Sequence, residues 1–200
     1  HRPDIAGSCI DAVGCHHGVI AYCDFSDGYI GVNAKGGSED ILLLGNRFEH
    51  TGDFGITLGG ETSPDAFLPA DANFEGKNIR AVSNVIIGTK VPIMFYSSID
   101  CLAANNTIYL PTNYVTRMLN ASAYPGSKPD LLPPQNCQFY NNIVYYSASQ
   151  LSATVCVGLG PTRQDTFLFA NNLWYNIDKP AQSAPSFASL GIPPETNGIY

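Results

Sequence analysis

An asparagine returns at one register position along this chain, and that return constrains the fold more than any other feature. The segments GVIAYCDF, ILLLGNRF, IRAVSNVI, CLAANNTI, CQFYNNIV and FLFANNLW align on an apolar residue or cysteine, four further positions, an anchor, and an apolar residue beyond it. The anchors are Asp24, Asn46, Asn84, Asn106, Asn142 and Asn172, spaced 22, 38, 22, 36 and 30 residues apart. Two spacings are a bare repeat, and the other three are a repeat with an insertion. Shifting SCIDAVGCHHGVIAYCD by 22 extends the pattern backwards, laying Ile10 on Val32 and Val19 on Ile41. Internal repeats of this period are the signature of a solenoid.

One coil cannot bury its own apolar side, so coils stack as parallel strands and place equivalent residues about 4.8 Å apart. An inward asparagine at a turn then hydrogen-bonds the backbone and amides of its neighbours as a ladder. A second strand follows each anchor. In it, Ile30/Val32, Ile56/Leu58, Ile93/Phe95 and Val155/Val157 alternate with smaller or polar residues, the period-2 pattern of a strand with one buried face. A β-sandwich also repeats short strands, but nothing in a sandwich requires asparagine at one position six times. The fold expected is therefore all-β, a right-handed parallel β-helix of about 22-residue coils forming a single domain over 1–200.

Composition agrees. Charged residues are 14% of the chain, against about 25% in an ordinary domain, as suits strands and turns. A net charge of −7 argues against nucleic acid, which needs a basic face. No apolar run reaches the roughly 18 residues of a membrane helix, so no membrane span is expected. Cys9, Cys15, Cys23, Cys101, Cys137 and Cys156 show no paired zinc spacing. Cys101 and Cys137 precede their anchors by five residues and are expected as buried thiols, while Cys9 or Cys15 is near enough to Cys23 for a local bridge. Sequons occur at Asn105 and Asn120.

The register, with VNAKGGSEDILLLGN, GITLGGET, ANNTIY, NNIVYY and FANNLWY, resembles bacterial right-handed β-helix repeat proteins of the pectate-lyase-like superfamily over nearly the whole chain. That superfamily includes polysaccharide lyases, glycoside hydrolases, tailspikes and adhesins. The resemblance implies an extracellular or cell-surface protein handling polysaccharide. It carries no catalytic residue to a named position, because the nearest likeness is to an uncharacterised subgroup.

Insertions mark function in solenoids. Two long ones run from about Glu61 to Lys77 and from about Asn120 to Asn136, each after a post-anchor strand and one coil apart. They are placed to wall a groove floored by the outward residues Asp11, Asn33, Lys35, Thr57, Gly59, Glu61, Met94, Tyr96 and Arg117. Abstracting the C5 proton of a uronic acid needs a base and a cation for the substrate carboxylate, which makes Lys35 and Arg117 the catalytic candidates, with Tyr96 as sugar platform or proton donor. Asp11, Asn33 and Glu61 are candidates for substrate binding. Asp11 and Glu61, with Asp65, Asp71 or Glu75, could supply the oxygen ligands calcium prefers. Each has a plainer reading: Lys35 as a solvated turn residue before Gly36-Gly37, Arg117 as the partner of a loop carboxylate. His16-His17 reads most simply as a turn, since neighbours on a strand face opposite ways. The glycines of KGGS and LGGET read as corner residues.

Two functions stay open: a polyuronide lyase-like or glycan-binding protein, and a non-catalytic structural or assembly-forming solenoid of a cell-surface or fibre protein. HRPDIAGSCI begins inside a coil and ETNGIY ends without an evident cap, so the sequence reads as lacking one or both caps, either as a fragment of a longer chain or as a solenoid whose ends another subunit covers, with self-association through the ends open to it.

Overall fold

The structure, a computed structural model, describes residues 7–158 and 160–200. Within them the regular structure is β-strand, joined by six single-turn 3-10 segments. Sheet 1 runs, in neighbour order, through Ser8–Val13, Ile30–Lys35, Phe54–Gly59, Val91–Tyr96, Thr116–Leu119 and Val155–Gly158. Sheet 2 runs through Val19–Ala21, Leu42–Leu44, Arg80–Val82, Leu102–Ala104, Gln138–Tyr140 and Leu168–Ala170. Sheet 3 runs through Asp24–Ser26, Arg47–Glu49, Val85–Ile87, Thr107–Tyr109, Ile143–Tyr146 and Leu173–Asn176. A three-stranded sheet of Ser38–Glu39, Gly76–Lys77 and Ser98–Ile99 sits at the corner between sheets 1 and 2. All strand pairs are parallel, and the chain visits sheets 1, 2 and 3 in rotation before returning beside its previous pass.

The inward positions of each pass stack into columns. Ile10, Val32, Ile56, Ile93, Thr116 and Val155 form one on sheet 1. Phe25, Phe48, Ile86, Ile108, Val144 and Trp174 form one on sheet 3. Phe48, Ile56, Ile86 and Ile93 are wholly buried, and each such side chain contributes about 1.5–3 kcal/mol.

Sheets 2 and 3 meet at a corner that explains the paired asparagines of the last passes. The first residue of each pair adopts the left-handed conformation: φ is 57° at Asn105, 53° at Asn141 and 54° at Asn171, a region asparagine tolerates better than most residues. The second points inward and builds the ladder. The Nδ2 of Asn46 donates to Oδ1 of Asn84 at 3.0 Å, and the same 3.0 Å bond links Asn84 to Asn106, Asn106 to Asn142 and Asn142 to Asn172. Each Nδ2 also donates to a carbonyl of the preceding pass, as Asn106 does to Ala81 at 2.9 Å. Each of Asn84, Asn106, Asn142 and Asn172 accepts a backbone N–H from the asparagine before it at 2.8–2.9 Å, so the amides' two donors and two lone pairs are filled.

The first pass departs from the expected register. Ile10 lies beside Val32, but Val19 lies beside Leu42, not Ile41. Two residues separate Val13 from His16, whereas three separate Lys35 from Glu39. The extra residue moves the anchor from Asp24 to Cys23, whose N–H donates to Oδ1 of Asn46 at 3.0 Å. Asp24 pairs with Arg47 on sheet 3 with its side chain exposed, outside the ladder. The expected local disulfide is not formed either. Cys9, Cys15 and Cys23 are free and exposed, because they sit on sheet 1 and at two successive corners. Cys101 and Cys137 are free, buried thiols in adjacent passes, and burial raises the Cys137 thiol above its ordinary pKa.

The far end is covered, contrary to the expectation that ETNGIY lacks a cap. Phe187 packs on Phe169 at 4.6 Å between ring centroids and on Trp174 at 6.3 Å, and Ile192 is buried beside them in the main core. Glu195 closes the ladder. Its Oε1 accepts from Asn172 Nδ2 at 2.6 Å, and its Oε2 accepts from Trp174 Nε1 at 2.8 Å. All ladder amides donate in this direction, so a carboxylate is the fitting last acceptor. At the near end, the first six residues of HRPDIAGSCI lie outside the described residues.

Candidate functional site

The outward positions of sheet 1 also form columns. One is Asp11, Asn33, Thr57, Met94, Arg117 and Cys156; the next contains Lys35 and Tyr96 with Leu119. The sequence thus reads correctly which residues leave the core on this face. What covers them was not legible.

The two insertions do not wall an open groove. They close on each other and on the sheet. The N–H of Leu132 donates to the carbonyl of Asn73 at 2.8 Å, and the ammonium of Lys128 donates to the carbonyls of Ala70 and Ala72 at 2.9 and 2.5 Å. Beneath them Phe67, Ala72, Met94, Tyr96, Leu119 and Leu131 make a second apolar core. Tyr96 lies 5.8 Å from the Tyr124 ring. Burial, with Tyr124 and Glu61 beside it, holds its phenol far above the ordinary tyrosine pKa. Tyr96 is buried in this second core, so its ring face is not open as the sugar platform the sequence suggested.

Glu75 ties the first loop down. Fully buried, it accepts from the N–H of Gly36 at 2.8 Å, the N–H of Thr62 at 3.0 Å and the Thr62 hydroxyl at 2.7 Å. Desolvation raises its pKa, and these hydrogen bonds and nearby Lys35 act against that rise. The KGGS glycines serve the same closure. Gly37 has φ of 85°, and a Cβ there would meet the Leu68 carbonyl oxygen at 2.7 Å.

On the near side of the loops, Lys35 lies 3.6 Å from the Asp11 carboxylate and donates to the Glu61 carbonyl at 3.3 Å. Thr57 donates to Asn33 Oδ1. These residues contact one another, so the Lys35 ammonium has partners within its own neighbourhood. The carboxylates do not assemble a calcium site: among the described residues no three acidic, histidine or cysteine side chains gather to hold a metal, because Asp11 turns to Lys35 and the oxygens of Glu75 are taken. A shallow gap of about 360 Å³ remains between Glu61–Ser63 and Pro125–Ser127. His16 contacts the Leu68 carbonyl at 3.1 Å and His17 lies 3.2 Å from Asp40, so the pair splits between loop and corner.

Arg117 is on the far side, three strands from Lys35, a separation of about 14 Å at the strand spacing. Arg117 lines a pocket of about 230 Å³ with Asp53, Phe54, Lys90, Val91 and Asn113. Its guanidinium carbon lies 5.6 Å from the centre of the Tyr114 ring, a cation–π arrangement. Its Nε is buried without a hydrogen-bond partner, and among the described residues no carboxylate lies within 4.0 Å. Asp53 cannot serve it, being held by Lys90 at 2.6 Å and by the Tyr29 hydroxyl. Two cations and one carboxylate leave this pocket net positive on an otherwise acidic protein.

Comparison with family models, curated proteins and solved structures finds no match to the chain. No helix among the described residues is long and apolar enough to cross a membrane. Sequence reasoning found Arg117 but missed Asp53, Lys90, Asn113 and Tyr114, which approach it from loops of different passes. Lys90, a charge interrupting an apolar stretch, was the available signal.

Proposed function

We propose that this chain is a right-handed parallel β-helix of the pectate-lyase-like kind, acting outside the cell or at its surface, and that it binds acidic polysaccharide at the Arg117 pocket. Three sheets visited in rotation by parallel passes support the helix, and crossovers between parallel strands of one sheet are right-handed in about 98% of cases. The binding reading rests on one observation, the Arg117 guanidinium, with no carboxylate of the described residues within 4.0 Å, lining a net-positive pocket. A uronate carboxylate or sugar sulfate entering the pocket would pair with the terminal N–H groups of the guanidinium in the bidentate geometry arginine favours.

Binding is better supported than a lyase reaction. Elimination needs base and carboxylate clamp at one sugar, and Lys35 and Arg117 are too far apart to meet there. Titrating the protein with alginate, pectate and a sulfated glycosaminoglycan tests both readings. Binding should weaken as salt rises, and Arg117→Ala should weaken it by about tenfold or more. Unchanged affinity in Arg117→Ala would remove this site from consideration. Release of unsaturated product, followed by absorbance, would restore the lyase reading.

A further inference from the structure

We propose that the outer face of sheet 3 is a homodimer interface whose partner is a second copy of this chain. Two columns line this face. One carries Val85, Thr107, Ile143, Leu173 and Ile199; the other carries Tyr109, Tyr145 and Tyr175. No charged residue interrupts either column from the Val85 pass onward. The corresponding column of sheet 2, from Val19 to Leu168, is broken by Arg80 and Gln138.

The tyrosine geometry decides what kind of occupant fits. Tyr109 and Tyr145 stack at 5.1 Å and 10°, Tyr145 and Tyr175 at 5.6 Å and 17°. Stacked in this way, the rings cover one another's faces and turn edges and hydroxyls outward. A sugar ring needs an open aromatic face, and the middle ring has none. A flat row of ring edges beside an aliphatic column suits a second protein surface of the same kind.

The area supports a second copy. Val85, Tyr109, Ile143, Leu173, Tyr175 and Ile199 are 37–60% exposed. At about 200 Å² for a large side chain, they present about 500 Å² of apolar surface, near the upper end for a monomer's largest patch. Homodimer interfaces are about 65% apolar, so such a patch would centre a footprint of about 800 Å² per copy, the standard size for a stable interface.

Symmetry fits as well. A two-fold axis lying in the interface and parallel to the stacking direction exchanges the two columns. Each tyrosine then faces the Thr107–Ile143–Leu173 column of the other copy, and Arg47 faces the other copy's Glu49 instead of its own kind. Both lie at the polar end of the face, already paired within one chain at 2.6 Å. This interface is lateral, unlike the end-to-end association the sequence suggested, since the 177–200 segment covers one end.

Sedimentation equilibrium across a concentration series, on the wild-type chain, tests the proposal. The expected species is a dimer. Ile143→Lys and, independently, Tyr175→Arg should raise its dissociation constant by at least about thirtyfold. Leu168→Lys, on the exposed face of sheet 2, should leave it unchanged. Circular dichroism and thermal unfolding establish that each variant is folded. A wild-type monomer at every concentration would overturn the proposal, as would a dimer untouched by both sheet 3 variants or dissociated by Leu168→Lys alone.

Discussion

At the corner between sheets 2 and 3, one residue type does the same thing at five successive heights. On the outer face of sheet 1, no two heights are alike. Asn46 to Asn172 satisfy their amides with copies of themselves, so any pass can be exchanged for the next. Around sheet 1 the polar groups find partners of different kinds: Glu75 with Gly36 and Thr62, Lys35 with Asp11, Asp53 with Lys90. A periodic solution saturates itself completely. An aperiodic one can leave groups over, and here it leaves the Arg117 Nε together with the hydroxyls of Thr116 and Ser127.

The largest expected effect breaks the periodic side. Asn106→Leu takes the acceptor from the Asn84 backbone N–H and from one of the two Asn84 Nδ2 hydrogens, removes the side-chain donor to the Ala81 carbonyl, and leaves the Asn142 Oδ1 with only the backbone N–H of residue 106. Loss of about 4 kcal/mol in urea unfolding is expected, since each buried unsatisfied group costs about 1–3 kcal/mol and neighbours relax in part. A loss under 1 kcal/mol would mean that the ladder is ornament, with the core carrying the corner alone.

Next comes Glu75, on the aperiodic side. Its folded pKa is raised above the ordinary 4.5, so the folded state holds the proton more tightly than the unfolded chain. The stability this contributes is fully present below pH 4.5 and is lost as pH rises through the folded pKa. Glu75→Gln removes that titration. The stability difference between wild type and variant should therefore shift in favour of the variant as pH rises above 4.5, measured by chemical denaturation at a series of pH values. A difference that stays flat with pH would show the carboxyl titrating as an exposed one.

A smaller effect separates stability from function at Arg117. Replacing it with methionine removes an unsatisfied buried donor and keeps the packing on Tyr114, so Arg117→Met should be neutral or stabilising by about 0.5–1 kcal/mol while glycan binding falls. If the variant were strongly destabilised, Arg117 would belong to the fold, like Glu75.

The smallest effect concerns thiols. Cys101 and Cys137 should resist alkylation in the native protein and react on unfolding, whereas Cys9, Cys15 and Cys23 should react at once. Intact mass before and after denaturation reads the difference. Cys101→Ala should cost only about 1 kcal/mol, the loss of a small apolar group.

The sequence reached the ladder from Asn46 to Asn172 because the coil period and the chemical requirement coincide there. It missed Cys23 as the first anchor because a single extra residue at Gly36-Gly37 shifts the count, and Asp24 imitates an anchor by type. Reading Cys23 as the anchor restores the spacing to Phe25, which the Asp24 alignment lacks. It missed Glu195 because that residue closes the ladder from outside the repeat. On sheet 1 it chose the outward residues correctly by alternation, yet assigned them to a groove.

Strand alternation and the recurring asparagine are local, periodic properties, and they alone determined parallel stacked passes, the inward columns and the buried corner amides. How the two insertions fold back was decided only in three dimensions. Their packing depends on contacts between residues far apart in the chain, such as Lys128 with Ala70 or Glu75 with Gly36, and no period encodes those meetings. Tertiary structure therefore turned an expected groove into a second core, gave Lys35 its partner and left Arg117 without one.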